Sequence, residues 1–151
     1  MEKGKQILVI QGGGRAAGNT AKLAESFAAG AREAGHQVEL VSLAKEKVNG
    51  CLGCNACRSG ALADKEGVYC VQTDGFNGLV PKILQADLLV FATPLYYWTI
   101  SAQLKAFIER FYCLAKKREK PLGGRHEAYP EKDCALLMTA ADNRFWSFEQ
   151  A

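Results

Sequence analysis

The sequence lacks a strong excess of charge of either sign, a long apolar run and a recognisable leader segment. Its 19 Lys and Arg residues against 16 Asp and Glu give a formal net charge of only +3, without a basic stripe or arm, so we expect no nucleic-acid partner. No apolar run approaches the roughly 20 residues of a membrane span, so we expect no membrane partner. Residues 1–5 contain no cleavage site, and the expected location is therefore the cytoplasm.

Short apolar runs alternate with helical patterns along the 151 residues, which we interpret as one domain, 1–151. Buried parallel strands are predicted at 6–11, 37–43, 87–93 and 134–141. Helices are predicted at 19–34 and 79–85, after Ser101, and from 142 onwards, with a break at Pro121 and Gly123-Gly124. This alternation predicts an α/β fold with a mostly parallel sheet and helices on both faces.

The carboxyl ends of the strands are the expected location of the functional site. In open parallel sheets, ligands bind at that edge. The loops after Gln11, Thr93 and Ala141 should therefore meet there. The segment that follows Leu43 and carries the cysteines should rim the same site.

A glycine-rich loop, residues 12–18, follows the first strand, and Asn19 and Thr20 are candidate caps of the next helix. Free backbone N–H groups and the helix dipole at such a loop favour a phosphate. A P-loop is disfavoured because Asn19 stands where its lysine belongs, and the dinucleotide pattern is weak because three consecutive glycines satisfy it easily. The loop also lacks the cysteine of a phosphatase. The remaining interpretation is a cradle for one monophosphate, with Arg15 supplying a charge or a stacking plane.

Three consecutive aromatic residues follow the third strand. They are Tyr96, Tyr97 and Trp98, and they come directly after Pro94 and Leu95. Three neighbours in a loop cannot all face one core, although packing over the following helix accounts for at least one of them. Aromatic rings and exposed N–H groups suit a flat heterocyclic ligand. Tyr97 and Trp98 also suit a subunit interface, so we expect a homodimer or a higher homo-oligomer.

Four motifs occur in a specific order along the chain. They are the glycine loop through Thr20, the run Cys51-x-x-Cys54-x-x-Cys57, the segment Thr93-Pro94-Leu95-Tyr96-Tyr97-Trp98 and the helix Ser101-Ala102-Gln103-Leu104-Lys105-Ala106-Phe107-Ile108-Glu109-Arg110. The ordered set resembles the flavodoxin-like NAD(P)H-dependent FMN reductases, and within them the iron–sulfur flavoprotein branch. The resemblance implies a doubly wound, flavodoxin-like sheet of strand order 2-1-3-4-5 that binds FMN.

The resemblance also implies which residues hold FMN. They are Gly13, Gly14, Arg15, Gly18, Asn19 and Thr20 around the phosphate, Pro94, Leu95, Tyr96, Tyr97 and Trp98 along the isoalloxazine, and Ala140, Ala141 and Asp142 on the other side of the ring. Gly13-Gly14 replaces the family's Ser-Pro pair, so backbone N–H groups substitute for a hydroxyl ligand. The sequence reaches Ala151 within a predicted helix, so the family's C-terminal fifth strand is expected to be missing.

Six cysteines are present, and three of them stand at two-residue spacing. Such crowding without a secretory signal indicates metal or redox chemistry rather than disulfides. The resemblance implies that Cys51, Cys54, Cys57 and, after a gap at 58–69, Cys70 can bind a [4Fe–4S] cluster. Zinc on four thiolates is an alternative. Cys113 and Cys134 are expected to be core thiols.

The expected function is that of an FMN-dependent oxidoreductase. Hydride would pass from NAD(P)H to FMN, and the electrons would continue to a quinone, a free flavin, a metal ion or another small acceptor. Because the cofactor carries the chemistry, no catalytic side chain is assigned. The alternatives are a flavodoxin-like electron-transfer protein or iron–sulfur flavoprotein without a small-molecule substrate, and a redox- or metal-sensing module built on the cysteines.

Overall fold

A computed structural model gives the fold of residues 4–59, 61–62, 67–114, 116–122, 125–128 and 132–149. The strands are β1 (Gln6–Gln11), β2 (Gln37–Ser42), β3 (Leu88–Pro94), β4 (Lys116–Leu122), β5 (Arg125–Ala128) and β6 (Asp133–Thr139). The α-helices are α1 (Asn19–Glu33), α2 (Leu43–Glu46), α3 (Phe76–Gln85) and α4 (Ala102–Glu109), and 3-10 helices cover Arg110–Leu114 and Phe145–Phe148. Among these residues, no helix combines the length and apolarity needed to cross a membrane.

Four strands form a parallel sheet in the order β2-β1-β3-β6. In register, Ile7 of β1 lies between Val38 of β2 and Leu88 of β3, and Leu88 in turn pairs with Asp133 of β6. This order matches the first four strands of the predicted 2-1-3-4-5 order, because β4 and β5 pair only with each other in an antiparallel hairpin. Within the described residues, β6 is an edge strand and no fifth strand lies beyond it.

The two faces of the sheet are covered by different helices, because alternate residues of a strand point to opposite sides. Leu8 and Ile10 share a buried cluster with Phe76 of α3 and Phe107 of α4. Val9 belongs to a second cluster, which includes Ala24 of α1 and against which Phe27 and Ala31 of the same helix pack. The predicted α/β fold with helices on both faces is confirmed.

Several local predictions differ from the structure. Asn19 and Thr20 are the first helical residues of α1, and Gly18 is the N-cap without a side-chain hydrogen bond. The helix predicted from 142 onwards is only the short 3-10 helix Phe145–Phe148. The sequence interpretation also missed the β4–β5 hairpin. The sheet strands, in contrast, agree within two residues at each end.

Candidate functional site

A cleft opens at the carboxyl edge of the sheet, where the ends of β1, β3 and β6 meet. It is bounded by the glycine loop, the segment after β3 and the end of β6. The residues that line it are Gly13, Gly14, Arg15, Gly18, Asn19, Thr20, Pro94, Leu95, Tyr96, Thr139, Ala140 and Ala141. The volume of the cleft is about 260 Å³. The structure thus brings together all of the predicted flavin-site residues except Tyr97, Trp98 and Asp142.

The first turn of α1 opens into this cleft without a capping side chain. Gly18 is its N-cap, and the first turn contains no acidic residue. Gly14 has no atom within 4 Å of the position that a Cβ would occupy, so the loop is open there. The backbone N–H groups at this end therefore suit an anion such as a phosphate.

Gln11, the last residue of β1, fixes the start of the glycine loop. Its buried side chain donates from Nε2 to the carbonyl of Gly13 at 3.0 Å. Its Oε1 accepts a hydrogen bond from the Ser42 hydroxyl at 2.9 Å. Both ends of the amide are thus satisfied, and the loop is held relative to β1 and β2.

A second support runs from the glycine loop to α4 through Ser101. The Ser101 hydroxyl donates to the carbonyl of Gly12 at 2.7 Å and accepts from the Leu104 N–H at 3.2 Å. The Ser101 N–H donates to the Thr93 hydroxyl at 2.9 Å. A Cβ at Gly12 would lie 2.8 Å from both Leu104 Cβ and Ser101 Oγ, so only glycine allows this approach. Ser101 therefore caps α4, the helix that was predicted to follow it.

Thr139 is a lining residue that the sequence interpretation missed. The hydroxyls of Thr139 and Thr20 share a hydrogen bond of 2.7 Å, which joins the end of β6 to the start of α1. In such a pair one hydroxyl donates to the other, and the second keeps a hydrogen for another acceptor. The Thr139 carbonyl also accepts from the Leu95 N–H at 2.7 Å. A polar residue at the end of an apolar strand was the available signal.

The aromatic residues of the third loop form a tight turn at the rim. Tyr96 and Thr99 exchange two backbone hydrogen bonds, of 3.0 and 3.2 Å. Tyr97 and Trp98, at the centre of the turn, have φ angles of 52° and 61°. This is the geometry of a type I′ turn, which normally contains Asn and Gly. Tyr97 is 92% exposed, and neither aromatic lines the cleft.

Asp142 also lies outside the lining of the cleft. One of its carboxylate oxygens accepts from the Arg144 N–H at 3.0 Å, and the other forms an ion pair of 3.5 Å with the Arg144 side chain. Asp142 therefore shapes its own turn in the described structure.

The predicted cluster cysteines line a separate, small cavity beside the end of α4. Cys51, Cys54, Cys57 and Cys70 all face it, and Cys113 joins them. The space is about 20 Å³, enough for one water molecule. Any larger group would require the exposed segment 51–54 to move outwards. Cys113 is half-buried and packs against the core as predicted, but its place at this cavity was missed.

The loop between the first cysteines has left-handed backbone at two positions. Gly53 has a φ of +64° and Asn55 a φ of +56°. Successive N–H groups in such loops form concavities that hold anions, including iron–sulfur centres. The Gly53 N–H already points at the Cys51 sulfur, at 3.4 Å. The local conformation suits a negatively charged sulfur centre.

Cys70 is held in place by Asn77 at the start of α3. The Asn77 carbonyl oxygen accepts from the N–H groups of Tyr69 and Cys70, each at 3.0 Å. Its amide nitrogen donates to the Cys70 carbonyl at 2.8 Å. This clamp brings Cys70 back to the other cysteines across the intervening segment of the chain.

Burial keeps the inner thiols protonated. Burial raises the pKa of Cys113 to about 12, and the nearby Cys70 and Cys57 act in the same direction. Burial also raises the pKa of Cys57, against the lowering effect of Arg58. Since the metal-binding form is the thiolate, a metal bound here would displace protons.

The arrangement does not support the zinc alternative. Within the part of the chain that the structure describes, no three His, Cys, Asp or Glu side chains are placed to hold a single metal ion. Cys134 is exposed at the edge strand β6, and the prediction that it is a core thiol is wrong.

Comparison with known protein families shows which family the chain belongs to. Residues 6–139 match the model of the family described as NADPH-dependent FMN reductase. The chain belongs to this family. The predicted resemblance is confirmed, and with it the flavodoxin-like fold.

Individual relatives agree with the family assignment. An iron–sulfur flavoprotein of Archaeoglobus fulgidus is 35% identical over 101 residues, which are 67% of this chain and 43% of the relative. An iron–sulfur flavoprotein of Methanocaldococcus jannaschii is 32% identical over 105 residues, 70% of this chain and 51% of the relative. This FMN reductase family member thus spans about half the length of these curated relatives.

A solved structure shares the fold. The azoreductase of Bacillus anthracis str. Sterne superposes with a TM-score of 0.61 at 24% identity, over 90% of this chain and 69% of the other. At that identity the likeness concerns the fold alone. The cleft of this family member lies at the same strand ends where ligands bind in open α/β sheets.

Proposed function

We propose that this chain binds FMN in the cleft at the carboxyl ends of β1, β3 and β6, and oxidises NAD(P)H. The electrons would then pass to a small acceptor such as a quinone, a flavin or a metal ion. The observation that carries the proposal is the convergence of three separate loops on one cleft. That cleft combines an uncapped helix N-terminus with an apolar segment, which suits a ligand with a phosphate at one end and a flat ring at the other.

The two ends of the cleft would bind different parts of FMN. At the polar end, the glycine loop, Asn19 and the Thr20–Thr139 hydroxyl pair would hold one phosphate, with Arg15 contributing charge. At the other end, Pro94, Leu95 and Tyr96 would lie along the ring. The cradle contains one uncapped helix N-terminus, which suits one phosphate, so we expect FMN and not FAD.

The proposed reaction requires no acid, base or nucleophile from the side chains. Bound FMN would supply the redox chemistry by accepting hydride equivalents from NAD(P)H and releasing electrons to the acceptor. The chain would orient the ring, hold the phosphate and keep one face accessible. No side chain at the cleft needs to move a proton, so no catalytic residue is proposed.

A flavin titration of the purified chain tests the phosphate cradle. The double substitution Asn19→Ala and Thr20→Ala should weaken FMN binding by about 1–3 kcal/mol, the range for hydrogen bonds to a charged group and for unsatisfied partners. Ser26→Ala, which removes an exposed hydroxyl from the same helix, is the matched control and should leave the affinity unchanged. Equal affinities of the double variant and wild type would refute the cradle.

The enzyme activity needs a separate measurement. FMN-loaded protein should oxidise NAD(P)H in the presence of a quinone. The decrease in the absorbance of the reduced nicotinamide measures this reaction. If FMN binds but NAD(P)H is not oxidised, the chain is an electron carrier instead.

A second role is favoured by the cysteine cavity. We propose that Cys51, Cys54, Cys57 and Cys70 hold a [4Fe–4S] cluster as an additional electron site, with the segment 51–54 moving outwards to admit it. Support comes from the left-handed loop, the Asn77 clamp on Cys70 and the relatives named iron–sulfur flavoproteins. Anaerobically reconstituted protein should contain about four irons per chain.

The cluster ligands can be separated from the neighbouring thiol. Cys70→Ser should deplete iron and leave FMN bound, whereas Cys113→Ser should retain iron. Retention of iron by Cys70→Ser and its loss from Cys113→Ser would show that Cys113 is the fourth ligand. Iron-free wild-type protein would refute the cluster altogether.

Self-association is the remaining proposal. Exposed aromatics are enriched at protein interfaces, and Tyr97 and Trp98 are exposed at the rim of the cleft. We propose a homodimer or a higher homo-oligomer that uses this turn. A monomer by light scattering at micromolar concentration would refute it.

A further inference from the structure

The side chain of Gln11 lies buried beneath the glycine loop, and its amide is fixed in one orientation. Only 2% of Gln11 is exposed. Its Nε2 is 3.0 Å from the carbonyl oxygen of Gly13, which can only accept, so the nitrogen must face the loop. Its Oε1 faces the Ser42 hydroxyl at 2.9 Å, on the neighbouring strand β2. The amide is therefore tied at both ends and cannot move without breaking a hydrogen bond.

The position of the Gln11 amide also explains why residue 13 is a glycine. A Cβ at Gly13 would lie only 2.6 Å from the Gln11 Nε2, so a side chain there must push the amide out of its hydrogen bonds. The next nearest atom, the Cβ of Thr20, is at an ordinary contact distance of 3.4 Å. Gly13 does not have a positive φ angle, so its backbone conformation does not require glycine. Gln11 and Gly13 thus form a matched pair.

The hydrogen bond from Gln11 sets the direction of the next peptide group. The Gly13 carbonyl and the Gly14 N–H belong to one planar trans peptide, in which the two groups point in opposite directions. Because the carbonyl points at the buried amide, the Gly14 N–H points away from it. Gly14 lines the cleft, and the space at its Cβ position is open. Its N–H has no acceptor in the part of the chain that the structure describes, so it is available to a ligand.

We propose that Gln11 is a positioning residue for the flavin phosphate. It turns the peptide between Gly13 and Gly14 so that the Gly14 N–H donates to the phosphate, while the Gly13 carbonyl, which would repel an anion, is held away from it. The inference rests on the proposed function, in which the glycine loop holds the phosphate of FMN. It adds that the direction of the loop depends on a buried residue that does not line the cleft.

Titration of the purified chain with FMN and with riboflavin, followed by flavin fluorescence, tests this role. The two ligands share the ring system and differ in the phosphate, so only FMN reports on the Gly14 N–H. Gln11→Ala releases the Gly13 carbonyl and should weaken FMN binding by about tenfold, the factor expected for the loss of a hydrogen bond to a charged group. Riboflavin binding should stay unchanged, whereas a structural role alone would weaken both ligands alike.

A double-mutant cycle tests the matched pair with FMN alone, and it decides the matter where riboflavin binds too weakly to measure. Gly13→Ala should weaken FMN binding by about tenfold, because its Cβ displaces the Gln11 amide. In the Gln11→Ala background the same substitution should have little further effect, since the clashing atom is gone. If Gln11→Ala fails to fold, Gln11→Ser, whose hydroxyl is too short to reach Gly13, takes its place in both experiments.

Gly30→Ala is the matched control for the glycine substitution. Gly30 lies within α1, and no atom is within 4 Å of the position that its Cβ would occupy. The variant should therefore leave the FMN affinity unchanged.

The outcomes separate the inference from the function on which it rests. A loss of FMN affinity without a loss of riboflavin affinity, together with a non-additive cycle, supports the inference. Equal losses for both ligands in Gln11→Ala, or additive effects of the two substitutions, overturn the inference alone, while FMN binding by the wild type stands. A wild-type chain that binds FMN no more tightly than riboflavin overturns it together with the phosphate cradle. A wild-type chain that binds neither ligand overturns the flavin function as a whole.

Discussion

The cleft and the cysteine cavity are built in different ways, although helix α4 begins beside the cleft and ends beside the cavity. The cleft is made of short loops fixed to the ends of hydrogen-bonded strands, and its supports, such as Gln11 and Ser101, bond mainly to backbone. The cavity is formed by irregular chain that depends on side chains from distant helices, namely Asn77 and Arg110. Arg110 lines the cavity and forms a buried ion pair with Asp74, with 2.7 Å between Nη1 and Oδ2. The ends of the strands therefore determine where the cleft lies, whereas the position of the cavity depends on side chains from distant parts of the chain.

The largest expected effect on stability comes from a substitution beside the cysteine cavity. Asp74→Ala should lower the free energy of unfolding by about 3–5 kcal/mol, because it leaves the Arg110 charge buried without its partner. Urea denaturation followed by circular dichroism measures the change. Lys105→Ala, which removes an exposed ion-pair partner, is the control and should have little effect. A loss below about 1 kcal/mol for Asp74→Ala would mean that the pair does not support the cavity.

A smaller effect is expected at the support of the cleft. Ser101→Ala should cost about 1–3 kcal/mol of stability, because the buried Gly12 carbonyl and the Leu104 N–H both lose a partner. It should also weaken FMN binding, since the glycine loop is no longer tied to α4. Ser26→Ala serves again as the control in denaturation and in the flavin titration. Equal stability of Ser101→Ala and wild type would contradict this support.

The aromatic turn should respond in the opposite direction. Tyr97→Asn combined with Trp98→Gly should raise the free energy of unfolding by about 1–2 kcal/mol, because these residue types accept left-handed backbone that Tyr and Trp adopt at a cost. Tyr97→Ala, which removes the ring but keeps the unfavourable conformation, is the matched control and should give no gain. If the double variant is less stable than wild type, the rings contribute packing that outweighs the strain.

The smallest expected effect on stability comes from removing an exposed ion pair. Lys82 forms an ion pair of 2.5 Å with Glu39, and both side chains are largely exposed. Lys82→Met should therefore change the stability by less than about 1 kcal/mol, and the difference should shrink at high salt. Denaturation at two salt concentrations measures it. A large, salt-independent loss would contradict the contrast with the buried pair.

Sequence reasoning recovered the strands and the cleft because both follow from local patterns. Residues 7–10 of β1 are all apolar because both faces of the strand are buried. The position of the cleft follows from where the parallel strands end. Thr139 was missed because its role depends on a hydrogen bond to Thr20, far away in the chain. Gly18 was missed as the cap because a helix can begin one residue before its polar candidates.

The residues that surround the cysteine cavity were harder to predict from the sequence, because tertiary packing brings them together. Nothing next to Cys113 in the sequence indicates that it faces Cys70, since the packing of Arg110–Leu114 against the loops decides this. Arg110 resembles any basic residue at a helix end, where cations are common. Only its burial against Asp74, thirty-six positions away, distinguishes it.

Helix α4 connects the glycine loop of the cleft to the cysteine cavity. Its N-cap, Ser101, is bonded to the glycine loop, and Arg110 follows directly after its last residue. Eight residues at 1.5 Å per residue make a rod about 12 Å long. The helix therefore sets the distance between the glycine loop at its first residue and the Arg110 guanidinium after its last.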